Sequence, residues 1–308
     1  MKSNMANQNT ETSKIVPEEN RDYGQVQPVN TKSWLEENEK FFLPPVCNKM
    51  MHNWQLKVMF VGGPNQRKDY HIEEGEELFY MVKGDMCLKI VEQGKHKDVV
   101  IKEGEVFLLP ARIQHSPQRE ENTIGLVLER ERASGETDGL RYFIDGTTER
   151  LYEKWFHCTD LGAELKPIID GYFNSTQFKT GKPIPEELQA NLPFELDMKT
   201  VVMKPFPLKD WLQEHRKDLD EDGGVSMFGD KFQFETRMFG SGKAEGNNAT
   251  AETWLWQLEG EAKVTVGDRV HNLVAHDSLL IAPGQMYRYE GTEGAVCMAN
   301  LQDLNRKS

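Results

Sequence analysis

The sequence predicts an all-β protein with a few helices, built as two small β-barrels in tandem, the second a degraded copy of the first. Three observations predict it. Short runs rich in Val, Ile, Leu or Phe recur at regular spacing, separated by Gly, Asn, Pro or charged turn residues, the pattern of a sandwich or barrel. GEELFYMVKGDMCLKIVEQG (75–94) is echoed by ATAETWLWQLEGEAKVTVGD (249–268), and GEVFLLPARIQH (104–115) by HDSLLIAPGQMYR (276–288), a single long-period repeat that points to domain duplication. The His and Glu residues that carry chemistry in the first copy are missing from the second.

The 308 residues suit two domains, and 38% hydrophobic composition suffices for ordinary cores. No stretch approaches the roughly 18 consecutive apolar residues that cross a membrane. Residues 1–29 read as a solvated N-terminal tail, because MKSNMANQNTETSKIVPEEN has neither the apolar segment of a signal peptide nor enough apolar surface to offset ordering. A net charge of −13 argues against nucleic acid, which needs clustered Lys and Arg. The four cysteines form no C-x-x-C pair and read as free buried thiols in a reducing compartment, the cytosol.

Within the first domain, residues 30–184, NTKSWLEENEKFF (30–42) reads as a short helix capped by Thr31 or Ser33 and ended by Pro44 and Pro45. Strands are expected at Gln55–Gly62, Leu78–Val82, Met86–Gln93, Lys97–Ile101, Val106–Leu109 and Ile124–Glu129. Over 139–180, Leu151, Trp155, Leu161, Leu165, Ile168 and Ile169 recur at partly helical spacing, which predicts one or two helices covering the barrel. Residues 185–201 read as a linker, introduced by the proline-rich PIPEELQANLP. The second domain, 202–308, is expected to form strands at Lys231–Phe239, Thr253–Leu258, Glu261–Val266, Ser278–Ile281 and Ala295–Asn300.

The spacings match the two cupin signatures, which makes the predicted fold a bicupin of two jelly-roll barrels. Gly63 is followed after five residues by Asp69, then by His71, Glu77 and Gly84, so Asp69 stands where the first histidine usually does. In the second signature Gly104, Pro110 and His115 are in register, while Arg112 and Arg119 replace the usual glycine and asparagine. Glu73 to Glu76 is read as a turn after which Glu77 opens the next strand. Two neutral imidazoles and one carboxylate, His71, His115 and Glu77, suit a divalent iron that keeps open coordination positions. Asp69 is open as a fourth ligand, but is preferred behind the ligands, orienting one of them or Arg67. In the second copy Thr253, Asn247 and Arg288 align with Glu77, His71 and His115, so that barrel should bind no metal. It reads as structural, or as a binding pocket that uses Arg288.

A closer likeness lies in PPVCNKMMH (44–52), QLKVMF (55–60), RKDYHIEEGEE (67–77), QGKHKDVVI (93–101), FLLPAR (107–112), HSPQR (115–119), EKWF (153–156), TGKPIP (180–185) and WLWQLEG (254–260). These resemble 3-hydroxyanthranilate 3,4-dioxygenases of the animal type from about residue 32 almost to the C-terminus. The resemblance implies one Fe(II) on His71, Glu77 and His115, and a monomer acting on 3-hydroxyanthranilate and O2. It implies that Arg67 lies beside the dioxygen site, that Arg119 holds the substrate carboxylate, and that Glu129 faces the polar substituents as acceptor or base. Glu77 is expected to touch substrate as well, and Asn48 to lie on a loop closing over it. Two rival readings remain: a metal-dependent isomerase or decarboxylase that needs no O2, and a bicupin without catalysis.

Overall fold

The structure, a computed structural model, describes residues 20–44 and 47–306. The described strands form four antiparallel sheets. One sheet of the first barrel runs Phe206–Pro207, Glu105–Leu109, Glu77–Lys83, Ile124–Arg130, Leu56–Gly62, Asn48–Asn53. The other runs Arg150–Phe156, Asp138–Phe143, Tyr70–Ile72, His115–Arg119, Met86–Glu92, Lys95–Ile101. The second barrel repeats this with the sheet Val29–Asn30, Asp277–Ile281, Thr253–Glu259, Val296–Gln302, Phe234–Phe239, Val225–Ser226, and a smaller one, Lys243–Gly246, Tyr287–Gly291, Ala262–Val266, Arg269–Leu273. The fold is the expected all-β bicupin.

Strand alternation explains how the barrels are filled. Phe79, Met81, Phe107, Leu109 and Val127 point into the first barrel, against Leu88, Ile90 and Ile101 of the opposite sheet. Their neighbours Leu78, Leu108, Leu126 and Leu128 point the other way and meet Phe234, Met238, Trp254, Trp256 and Met298 of the second barrel. The central strands are thus buried on both faces, which is why their sequences are continuous apolar runs. Two of the three six-stranded sheets also end in a strand from outside their own stretch of chain. Val29–Asn30 pairs with Asp277 and Ser278, and Phe206–Pro207 with Glu105 and Val106.

Of the expected tail, residues 1–19 lie outside the described residues. From residue 20 the chain is tied to both barrels: Arg21 pairs with Glu131 at 2.5 Å, and the Tyr23 hydroxyl donates to Glu252. The helix expected near residue 30 spans Thr31–Glu37, and its cap is Asn30, whose side chain accepts from the Ser33 N–H. The region 139–180 divides differently from expectation. Leu151 and Trp155 lie on the strand Arg150–Phe156, and helices occupy only Leu161–Asn174 and Thr176–Thr180. A four-residue spacing keeps one face in a strand as well as in a helix, so it did not separate the two. Leu165, Ile168 and Ile169 do cover the barrel, packing on Tyr142, Tyr152 and Tyr172. No described helix is long and apolar enough to cross a membrane.

The copy differs from its alignment by one residue. His71 pairs across strands with His115, and the corresponding pair in the second barrel is Gly246 with Tyr287, not Asn247 with Arg288. A Cβ on Gly246 would lie 2.4 Å from the buried Tyr287 ring, so the ring rests directly on the glycine. Arg288 instead faces solvent and pairs with Glu245 at 2.8 Å, which removes the pocket reading built on it. Thr253 keeps the place of Glu77, paired with Ile281 as Glu77 is with Leu109. Gly246→Ala should therefore destabilise the protein by about 1–3 kcal/mol through overpacking, seen as a lower urea midpoint; an unchanged midpoint would show that the ring moves aside freely.

Candidate metal centre

His71 and His115 face each other from adjacent strands, ring centroids 5.2 Å apart and nearly perpendicular. The bend over Glu73–Gly75 then brings the chain to Glu77, which opens the strand Glu77–Lys83 in the opposite sheet, as the sequence predicted. His115 Nε2 lies 2.7 Å from Glu77 Oε1, and His71 Nδ1 4.0 Å from the same oxygen. The three candidate ligands are thus brought together, with Glu73 as a fourth neighbour: one donor atom from each lies within 4.8 Å of the others, and all four residues are buried.

Each imidazole is fixed through its other nitrogen. His71 Nε2 donates to Asp138 at 2.7 Å, and His115 Nδ1 donates to the Ile113 carbonyl at 3.0 Å. Each ring thereby turns a lone pair toward Glu77, whose Oε1 is buried without a hydrogen-bond partner. Burial holds the His115 ring below its ordinary pKa, so it is neutral and able to ligate at neutral pH. Anchored imidazoles around an orphaned carboxylate oxygen fit a divalent metal ion.

Beneath this centre lies a buried cation that the sequence reading missed. Arg132 pairs with Glu73 at 2.7 Å, with Asp138 at 2.8 Å and with Glu129 at 3.2 Å. Lys57 adds a second cation 3.7 Å from Glu129. Burial opposes ionisation of Asp138 and Glu129, but Arg132 and His71 together, with Lys57 added at Glu129, outweigh it and hold both carboxyls below their ordinary range. Glu73 goes the other way: burial, with Glu77 and Glu129 nearby, pushes its carboxyl well up despite Arg132. Carboxylates this close do not all ionise together. The available signal was a charge inside an apolar run, Lys57 in QLKVMF and Glu129 in GLVLER.

The remaining predicted residues lie on the same barrel. Arg119 shares the strand His115–Arg119 with the histidine, and in a strand residues four apart point to the same face. It is 3% exposed, its Nε has no hydrogen-bond partner, and it makes no ion pair among the described residues. Burial and the charge of Arg67 pull its pKa down to about 10, which still leaves it protonated at neutral pH. Arg67 is held by Asp69, with Nε at 3.0 Å and a shorter contact through Nη2, so Asp69 orients Arg67 and is not among the clustered donors. Glu129 is buried, and its Oε1 lacks a hydrogen-bond partner. Asn48 begins the strand Asn48–Asn53 at the sheet edge rather than lying on a loop.

Residues 24–173 match the model of the 3-hydroxyanthranilic acid dioxygenase family. The 3-hydroxyanthranilate 3,4-dioxygenase of Xenopus tropicalis is 54% identical over 275 residues, 89% of this chain and 98% of that protein. The human enzyme of that name is 51% identical over 89% of this chain and 96% of its own length. Among solved structures, a salicylate 1,2-dioxygenase of Pseudoaminobacter salicylatoxidans superposes with a TM-score of 0.54 at 10% identity, covering 92% of this chain and 85% of that one, a likeness of fold.

Replacing Arg132 by Met should strand three buried carboxylates and cost about 3–5 kcal/mol of folding stability, measured by chemical denaturation; a loss under 1 kcal/mol would mean the network relaxes to water.

Proposed function

Because the chain belongs to the 3-hydroxyanthranilic acid dioxygenase family, we propose that it opens the ring of 3-hydroxyanthranilate with O2 between ring carbons three and four, at one Fe(II) held by His71, Glu77 and His115. The product is 2-amino-3-carboxymuconate semialdehyde, which closes without an enzyme to quinolinate and leads from tryptophan, by the kynurenine pathway, to NAD. The protein acts as a cytosolic monomer. Residues 30–184 form the catalytic domain, and 202–308 a domain without metal.

The observation that carries this reading is Arg119, a buried guanidinium that makes no ion pair among the described residues. Such a charge is costly unless a partner arrives, and an aromatic carboxylate meets its planar fork in bidentate fashion. Bound in this site, iron supplies Lewis acidity toward the substrate hydroxyl and amine and redox chemistry toward O2. The protein residues supply the rest. Arg119 holds the substrate carboxylate and thereby orients the ring. Glu129, held ionised by Arg132 and Lys57, uses Oε1, which has no hydrogen-bond partner and lies 3.7 Å from Lys57 Nζ, to accept the proton of the hydroxyl or amine as the ring is bound. Arg67, braced by Asp69, offers its positive charge where dioxygen becomes negative. Glu77 touches substrate as well as metal.

Anaerobic reconstitution with Fe(II), followed by oxygen-electrode assay, should show O2 uptake that depends on both iron and 3-hydroxyanthranilate; no uptake by iron-loaded protein refutes the proposal. His71→Ala and His115→Ala should each abolish iron binding without unfolding the barrel, and retained activity in either refutes the ligand assignment. Arg119→Ala should cost roughly 2–5 kcal/mol of substrate affinity, while unchanged KM and kcat would exclude it from the substrate site.

A further inference from the structure

The two barrels hold each other through a reciprocal pair of glutamates. Glu76, the residue before Glu77, is buried, and its carboxylate accepts from the backbone N–H groups of Gln233 at 3.1 Å and Phe234 at 2.7 Å, where a strand of the second barrel begins. Its carbonyl accepts from Gln302 Nε2 at 3.0 Å. Glu252 holds the matching position before Thr253. Its Oε2 accepts from the Leu56 N–H at 2.8 Å, where a strand of the first barrel begins, and its own N–H donates to Gln55 Oε1 at 2.8 Å. The two grips are alike, but Glu76 adjoins a candidate metal ligand and Glu252 adjoins a threonine.

We propose that Glu76 and Gln302 are positioning residues for Glu77, so that the barrel without ligands sets the coordination geometry of the barrel that has them. This rests on the metal reading above. Glu77 is the first residue of its strand: it pairs with Leu109 on one side, while on the other side the ladder begins only at Leu78 with Leu128. Ahead of it lies the bend Glu73–Gly75, so its own sheet holds it from one side alone. The Glu76 carbonyl and the Glu77 N–H share one rigid peptide plane, so the bond from Gln302 fixes the plane from which the Glu77 side chain departs. The two amides on the Glu76 carboxylate fix the residue before it. A metal site needs its ligands held within about 0.5 Å, and these bonds from the second barrel supply that constraint.

The test compares Glu76→Ala, Gln302→Leu and Glu252→Ala in the full chain by anaerobic Fe(II) competition titration and amide hydrogen exchange. Glu76→Ala and Gln302→Leu should bind Fe(II) roughly 10–100-fold more weakly than wild type, with faster exchange at the first amides of the strand Glu77–Lys83. Glu252→Ala removes the matching grip from the same interface and should bind Fe(II) as wild type does. Should Glu76→Ala not fold, Gln302→Leu decides, because it deletes one neutral hydrogen bond at similar volume. Wild-type affinity in Gln302→Leu, or equal losses in Glu76→Ala and Glu252→Ala, overturns the proposal. Wild-type protein that binds no Fe(II) overturns the metal reading itself, a result distinct from normal wild-type binding with unaffected variants.

Discussion

Arg132 is a guanidinium out of reach of water, and the first barrel is arranged around keeping it paired. An isolated buried cation would cost several kcal/mol, so three carboxylates converge on it from separate places in the chain: Glu73 from the bend, Glu129 from one sheet and Asp138 from the other. Each has a second task. Asp138, kept ionised, receives the His71 Nε2–H and so sets which ring nitrogen faces Glu77. Glu129, kept ionised, keeps one oxygen, Oε1, without a hydrogen-bond partner. Glu73, pushed toward its protonated form, relieves the repulsion that a fourth carboxylate would add beside Glu77. One buried charge therefore sets a tautomer through Asp138 and, with Lys57, keeps Glu129 ionised.

The candidate metal ligands were legible because short-range constraints place them. Gly63, Gly84, Gly104 and Pro110 punctuate turns whose geometry allows few alternatives, and His71, Glu77 and His115 sit at fixed offsets from those turns. The apolar strands were legible because burial on both faces writes an uninterrupted hydrophobic run, as in Leu78–Val82. Strands that flank the cavity were not. Tyr70–Ile72 and His115–Arg119 are short and polar, and their identity comes from the partner across the sheet, not from their own composition. Asp138 was invisible for the same reason. It begins a strand in a region whose apolar spacing fitted a helix, and its partners Arg132 and His71 are set by tertiary pairing.

The one-residue error in aligning the copy has a similar origin. Sequence alignment anchored on Pro110 and Pro283, yet the chain between that proline and the next strand differs by one residue in the two barrels. Because strand side chains alternate, that single step exchanges an inward residue for an outward one. Arg288 became a surface ion pair with Glu245, and Tyr287 went inside.

That exchange shows what the duplication separated. In cross-strand register Glu129 corresponds to Leu301 and Lys57 to Glu235, as the pairs Glu129–Lys57 and Leu301–Glu235 occupy the same place in each ladder. The buried charges of the first barrel have become a leucine and a partly exposed glutamate that pairs with Arg306 and Arg237. Tyr287 and Tyr289 complete an interior otherwise made of Leu255, Val264, Leu279 and their neighbours. A barrel that buries this many charges works against its own folding. The second barrel carries no such set and presents Trp254, Trp256, Phe234 and Met298 to the back of the charged barrel's sheet. Apolar burial between the two sheets offsets the electrostatic cost on the other face of the same strands.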